Sequence, residues 1–325
     1  MVQQQALRDF AQAFANHLGG THDRPSWRKA GRDEGFRVVA VRPGHVRRLS
    51  RRVGEVRVPK AGWVRFRWSR AVPPEVKSYR VTLDRAGRWH IAFAVIPAPI
   101  AGPGNGQTVG IDRGVAVSAA LSTGEMLTAP ALSARRDKRL RRLQRSLARA
   151  KWGSNRRAVV KLAVARLRAR EADARKDWAE KASTDIARRF DMIRVEDLRI
   201  RNMTSSAKGT AWAPGQNVRQ KAGLNREILR SGWGLLVRRL EYKAPGRVEK
   251  ISPAFTSKRC SACGHVDTES RESQARFVCT ACGFAVNADV NAARNIAAGH
   301  VVTARGGDGV ARPVNREPQL LLQSA

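Results

Sequence analysis

The hydrophobic pattern of this 325-residue chain changes period several times along its length. In ALRDFAQAFANHL (6–18), Phe10, Ala13, Phe14 and Leu18 recur at helical spacing and predict an amphipathic helix. From about 36 to 96 the period becomes two. WVRFRW (63–68) alternates wet and buried positions, and SYRVTL and RWHIAFAVI flank DRAG, a hairpin turn. Several short strands in so little chain predict a small barrel or sandwich whose outward positions are rich in arginine. Core packing is the preferred reading for most of its tryptophans, Trp63, Trp68 and Trp89. PAPIAGPGNG (97–106) reads as a linker.

Beyond it, TVGID (108–112), GVAVSAALS (114–122) and GEMLTA (124–129) predict three consecutive strands. A long helical stretch runs from about 133 to 189, broken at WGSN (152–155). Leu140, Leu143 and Leu147 line one face of its first half, and Val160, Val164 and Leu167 one face of its second, so the segment reads as a helical hairpin. DMIRVEDL (191–198) reads as a buried strand, 219–242 as a further helix and RVEKIS (247–252) as a strand. From Gly299 the composition is Gly, Pro and polar residues, which predicts a loose tail over 299–325.

Charge sharpens this picture. There are 62 Lys and Arg against 27 Asp and Glu, a formal net charge of +35. Such a field attracts polyanions and releases their condensed counterions on binding. Fifteen of the basic residues lie in 133–170, where Asp137 is the one acid. A solvated helix face ordinarily mixes signs to gain i,i+4 pairs worth about 0.2–0.5 kcal/mol each. Here like charges repel, and a phosphate backbone explains them better. Arg135, Arg136, Arg139, Arg142, Arg145, Arg149, Lys151, Arg156 and Arg157 are the expected nucleic-acid contacts. No apolar run approaches the roughly 20 residues of a membrane span, and MVQQQALRDF lacks a signal peptide's apolar segment. A cytoplasmic location with no membrane partner is expected.

All four cysteines fall in one module, Cys260, Cys263, Cys279 and Cys282, spaced C-x-x-C, fifteen residues, C-x-x-C. That spacing suits a tetrahedral zinc site. Two disulfides are the alternative, disfavoured by a reducing compartment. Four thiolates fill the coordination sphere, so this zinc is expected to be structural, and His265 is not needed as a ligand. Immediately downstream, Asn287 is a good N-cap for a helix starting at Ala288. Asp289, Ala292, Ala293 and Ile296 share one face of that helix, with Asn291, Arg294 and Asn295 on the opposite, wet side. An Asp in a first turn complements the helix dipole. On the apolar face, however, an unpaired carboxylate is costly, and a bound cation or a buried basic partner would resolve the cost. Asp112 ends the apolar run VGI and Glu196 ends MIRV. Each is a candidate hard-cation ligand or, alternatively, an edge residue facing solvent. Periodicity does not choose Glu196 over Asp197.

GID (110–112), VEDL (195–198), SGWGLLVRRLEYKA (231–244), SPAFTSKRCSACG (252–264) and the cysteine pairs followed by NADVNAARNI (287–296) together resemble the motif series of TnpB-type proteins. These are RNA-guided endonucleases encoded by insertion sequences, often named transposases, and relatives of type V CRISPR effectors. The resemblance runs from about 107 to 298. Over 21–96 the chain is more loosely similar to the family's wedge barrel. The fold this implies is α+β or α/β, with a wedge-like N-terminal β-barrel and a RuvC-like, ribonuclease-H-type domain that carries the basic hairpin and a four-cysteine zinc ribbon as insertions. In domain terms, a residual helix over 1–20 precedes the barrel, 21–96, and the linker, 97–106. The nuclease domain takes 107–255 and 287–298, and the ribbon 256–286.

The resemblance maps the family's catalytic acids onto Asp112, Glu196 and Asp289, holding two Mg²⁺ ions beside one structural Zn²⁺. It implies a guide RNA derived from the element, a double-stranded DNA target and a location at the prokaryotic nucleoid. Family members normally carry more chain ahead of the region resembling 6–36. The same scaffold without productive cleavage would be a nucleic-acid-binding regulator. A zinc-ribbon RNA-binding protein of translation or transcription would explain the charge and cysteines but leave the acids without a role.

Overall fold

The computed structural model describes residues 2–26 and 34–299, and the tail expected over 299–325 lies outside them from residue 300 on. The chain divides into two compact units, Met1–Pro97 with Leu132–Arg170, and Ala98–Ala131 with the chain from Glu171 on.

The first unit opens with helix α1 (Val2–Leu18) and continues with strands β1 (Gly35–Val39), β2 (Val46–Arg48), β3 (Val53–Val58), β4 (Gly62–Arg67), β5 (Ser78–Leu83) and β6 (Trp89–Phe93). The DRAG turn forms as the pattern requires. Asp84 accepts the backbone N–H groups of Ala86 and Arg88 at 2.8 and 2.9 Å, which closes the β5–β6 hairpin with Leu83 opposite Trp89. The strands make two antiparallel sheets, β1-β5-β6 and β2-β3-β4. They share one core of Val38, Val56, Val58 and Tyr79 with Phe66 and Phe93 packed on it. No ladder joins the two sheets among the described residues, so the expected closed barrel is a pair of packed sheets.

The alternation read in WVRFRW is also weaker than expected. β4 is an edge strand, Phe66 alone of its residues is partly buried, and Trp63 is 42% exposed under the Arg47 guanidinium. Trp89 is exposed as well, while Trp68 stacks on Phe66 at 5.5 Å. Core packing therefore fails for two of the three tryptophans. A three-stranded sheet has too little inner face to cover every aromatic it carries.

The hairpin forms from α2 (Ala134–Arg149) and α3 (Asn155–Arg189). Leu140 and Leu167 are buried within it, while Leu143, Leu147, Val160 and Val164 are half-buried.

The second unit is built on a five-stranded sheet. β7 (Thr108–Asp112), β8 (Ala119–Leu121) and β9 (Met126–Leu127) form an antiparallel meander, in which GVAVSAALS is a strand only over its last third. β10 (Met192–Glu196) then pairs parallel to β7, and after α4 (Ile200–Met203), α5 (Val218–Ser231) and α6 (Trp233–Lys243), β11 (Val248–Ile251) pairs parallel to β10. The order is β11-β10-β7-β8-β9. Its central strands are continuous apolar runs because both faces are covered. Val109, Ile111, Ile193 and Val195 are fully buried, against Ile186, Leu236 and Leu240 from the helices.

The single helix expected over 219–242 is two. Gly232 adopts φ +78°, a left-handed conformation that ends α5 and restarts the chain as α6. Residues 100–106, linker-like in composition, are held in this unit. Asp191 accepts the N–H groups of Gly104 and Gly106 at 2.9 and 2.6 Å, and Ile100 N–H donates to the Lys243 carbonyl at 2.7 Å.

A two-stranded ladder, β12 (Arg276–Val278) with β13 (Ala285–Asn287), carries the second cysteine pair, and α7 (Ala288–Ala298) follows it directly.

Candidate active site and metal centre

In the β7–β10 register Ile111 lies opposite Val195, so the next residues, Asp112 and Glu196, end adjacent parallel strands side by side. The pleat then decides between neighbouring acids. Glu196 is 8% exposed and turned inward, whereas Asp197 faces solvent.

Asp289 comes from a different direction. Asn287 caps α7, its side chain accepting from the N–H groups of Asp289 and Val290 at 2.9 and 3.3 Å. The helix then lies across β7, so close that a Cβ on Gly110 would stand 2.0 Å from the Ala293 carbonyl oxygen and 2.3 Å from the Ala297 nitrogen. Glycine in β7 and alanines at 292 and 293 are what let the helix sit there, and the contact brings Asp289 to the ends of the strands.

Electrostatics record the convergence. Burial raises the Asp112 pKa, and the charges of Glu196 and Asp289 push it further, to about 8, against Arg271 and the Arg113 backbone N–H. Burial also raises Glu196, opposed by a Thr256 hydrogen bond and by Arg113 and Arg271, and it raises Asp289, opposed by Arg271. The Thr256 hydroxyl donates to Glu196 Oε1 at 2.7 Å. Arg271, from the segment between the cysteine pairs, brings Nη2 to 3.5 Å from Asp289 Oδ1. Arg113 is buried, donates from Nη2 to the Glu196 carbonyl, and has no acceptor for its Nε among the described residues. Trp233 Nε1–H donates to the Gly114 carbonyl at 3.0 Å, which holds the loop after Asp112.

The cysteines converge as their spacing predicts. Their four sulfurs lie within 4.8 Å of one another, with Cys260–Cys282 at 3.8 Å and Cys263–Cys279 at 3.6 Å. A tetrahedron of 2.3 Å Zn–S bonds has edges of about 3.8 Å, so the donor set fits zinc. The two knuckles repeat each other. Gly264 and Gly283, at φ +80° and +71°, donate to the carbonyls of Cys260 and Cys279, both at 2.9 Å. Each turn exposes amide hydrogens to sulfur. The Cys282 N–H, first among several donors, lowers the Cys279 thiol to about 6. Against the Phe284 N–H, contacts with the other three sulfurs raise Cys282 to about 12, so the metal-free thiols share their protons unequally. His265 is exposed, as expected for a residue outside the ligand set. The three carboxylates do not reach the mutual closeness of the cysteines.

One face of α7 differs from its expected character. Asn291 and Asn295 are buried, with only Arg294 of that side in water. The asparagines bind the chain entering the ribbon. Asn291 accepts the Ser261 N–H at 2.9 Å and donates to the Arg259 carbonyl at 2.7 Å. Asn295 donates to the carbonyls of Thr256 and Arg259 at 2.9 and 2.7 Å. The helix is packed on both sides, by the sheet and by the ribbon, which is why its amides are interior.

Arg135, Arg136, Arg139, Arg142, Arg145, Arg149, Lys151 and Arg156 are all exposed. Arg157 instead folds back, its Nη1 donating to the carbonyls of Leu147 and Ala150 at 2.7 and 3.0 Å. These residues belong to the first unit, which takes the hairpin as far as Arg170, while the rest of α3 lies in the second. Sequence reasoning missed Arg113, Thr256 and Arg271. Arg113 directly follows the GID motif, and Thr256 lies inside SPAFTSKRCSACG, ahead of Cys260. Arg271 carries no sequence signal among so many arginines.

The chain is similar to known proteins over most of its length. A family model described as "Cas12f1-like, TNB domain" matches residues 233–296, and one described as "Probable transposase" matches 91–207. An Escherichia coli (strain K12) protein named as a candidate RNA-guided DNA endonuclease, InsQ, is 39% identical over 329 residues, covering 99% of this chain and 80% of its own. A Streptomyces pristinaespiralis protein, likewise named as a candidate RNA-guided DNA endonuclease, is 32% identical, covering 94% of this chain and 73% of its own. The fold resembles the protein in a cryo-EM structure of a Cas12f1–sgRNA–target DNA complex, with a TM-score of 0.52 and 15% identity over 87% of this chain and 67% of that one. No helix among the described residues is long and apolar enough to cross a membrane.

Proposed function

The chain belongs to the TnpB-type family of RNA-guided DNA endonucleases, and from that premise we propose that it hydrolyses DNA phosphodiesters at Asp112, Glu196 and Asp289. The observation that carries this reading is the gathering of three acids from β7, β10 and α7 at one end of the sheet, close enough to raise the Asp112 pKa. The sheet supports a RuvC-like, ribonuclease-H-type domain. Its first three strands are an antiparallel meander, its fourth adds in parallel beside the first, and its fifth in parallel beside the fourth. In this reading 107–255 with 287–298 is the nuclease, 256–286 its zinc ribbon, and 21–96 a wedge-like domain.

Asp112, Glu196 and Asp289 would hold Mg²⁺. Such ions, when bound, would supply an activated water and stabilise the leaving 3′ oxygen. The remaining side chains have definite work. Thr256 fixes one oxygen of Glu196, which leaves the other for a ligand. Arg271 presents a planar fork of donors beside Asp289, suited to phosphate oxygens. Arg113 ties the end of β7 to the end of β10. A single structural zinc in the four cysteines would brace the segment that delivers both Arg271 and Asp289.

The partners in this reading are a guide RNA derived from the element and a double-stranded DNA target, met at the prokaryotic nucleoid. Base pairing would read sequence while the basic surface holds backbone.

The test is to sequence the RNA that copurifies with the full chain, then assay cleavage of matching DNA with Mg²⁺. Asp289→Ala should reduce cutting by at least about 100-fold and leave RNA affinity within a few-fold. Cutting that survives Asp289→Ala refutes the assignment. A wild-type complex that binds matched DNA without cutting it makes the protein a nucleic-acid-binding regulator.

A further inference from the structure

The turn between α2 and α3 carries an exposed aromatic ring. Trp152 is 84% exposed, an unusual place for the largest apolar side chain. It is nevertheless fixed. The Arg157 guanidinium carbon lies 4.2 Å from its ring centroid, over one face. Arg157 is held in turn, its Nη1 donating to the Leu147 and Ala150 carbonyls at the end of α2, and its backbone N–H donating to Ser154 Oγ at 3.3 Å. Ser154 Oγ donates to the Lys151 carbonyl at 2.8 Å, and Gly153 takes φ +80° to close the turn. The result is a ring with a cation behind it and its opposite face open to water.

We propose that Trp152 is an end-stacking platform, which takes the terminal base pair of a nucleic-acid duplex onto its open face. The proposal rests on the nucleic-acid-binding reading given above. Three observations argue for this occupant. A ring with a guanidinium over one face offers a single stacking surface, which suits the end of a base stack and not insertion between two bases. A cation behind an indole leaves a surface attractive to electron-rich bases, and the Arg–Trp pair is rigid before binding. Around the tip, Arg149, Lys151 and Arg156 are exposed and no acid occurs between Asp137 and Glu171, so the approaching phosphates meet only positive charge. A protein partner presenting an apolar patch would meet the same uncompensated cations and gains nothing from them.

Base–aromatic stacking lost on alanine substitution corresponds to roughly 5- to 150-fold in affinity. The experiment compares two probes on the full chain, freed of copurified nucleic acid at high salt. One is an RNA–DNA duplex of roughly 20 base pairs with one blunt end, and the other is the same duplex closed by loops at both ends. Wild type should bind the open-ended probe about 5-fold or more tighter. Trp152→Ala should lose that preference and bind the closed probe as wild type does, while Trp152→Phe, which keeps a stacking ring, should retain part of it. Unchanged zinc content and circular dichroism establish that both variants fold. Equal binding of the two probes by wild type, or an open-end preference that survives Trp152→Ala, overturns end stacking alone. Wild type that binds neither probe overturns it together with the nucleic-acid reading beneath it.

Discussion

Replacing Gly110 by alanine adds one methyl group, buried away from solvent, yet it should silence the site. The added carbon would lie 2.0 Å from the Ala293 carbonyl oxygen, 2.3 Å from the Ala297 nitrogen and 2.9 Å from the Ala297 Cα. These are backbone atoms of a helix, so no side chain can swing aside. Ordinary contact begins near 3.4 Å, and relief requires α7 to withdraw from β7 by about 1.4 Å. Such overpacking typically costs about 1–3 kcal/mol, which a chain with this much buried sheet survives. Asp289 sits one turn before Ala293 on the same rigid helix and would move with it. A displacement near 1 Å in a reacting constellation costs on the order of 100-fold in rate. Gly110→Ala should therefore keep its zinc and its affinity for RNA, melt a few degrees lower, and cut matched DNA at most about one-hundredth as fast. The assay is single-turnover cleavage by the reconstituted complex at saturating Mg²⁺. Cleavage within a few-fold of wild type would show that the helix–strand contact does not set the position of Asp289.

Two further outcomes follow from the same site. Asp112 titrates near 8 in the folded protein without bound metal, against an ordinary value of 3.8. Between those values the folded state holds a proton that the unfolded chain has lost, so this group's contribution to stability falls as pH rises through the window and is fully lost above about 8. In magnesium-free buffer Asp112→Asn should thus melt higher than wild type at pH 8 and match it near pH 4. A difference independent of pH in differential scanning calorimetry would refute the coupling. Thr256→Val keeps the shape of its side chain but removes the 2.7 Å hydrogen bond to Glu196. Orienting partners of metal ligands are worth about 10- to 100-fold in metal affinity or activity. The variant should need roughly tenfold more Mg²⁺ for half-maximal cleavage, and an unshifted titration would mean that Glu196 is held by its strand alone.

The chemistry of this protein is legible in the sequence wherever short-range pattern suffices. Cysteine spacing sets the metal knuckles, because a C-x-x-C turn is a local geometry. The Asn287 cap, the DRAG hairpin and the apolar runs of β7 and β10 are equally local, and the cap and the two runs mark Asp112, Glu196 and Asp289 as candidates from the residue pattern alone. Tertiary packing decides the rest. Glu196 prevails over Asp197 because the pleat of a parallel strand turns one inward and the other to water, and only pairing with β7 defines which side is inside. Asn291 and Asn295 read as solvent-facing because a helical wheel knows one covering surface, whereas α7 has two. Arg271 is unreadable among the many arginines. Its role comes from a fold-back of the ribbon that carries a residue eighteen positions upstream to the side of Asp289, a proximity that no sequence period encodes.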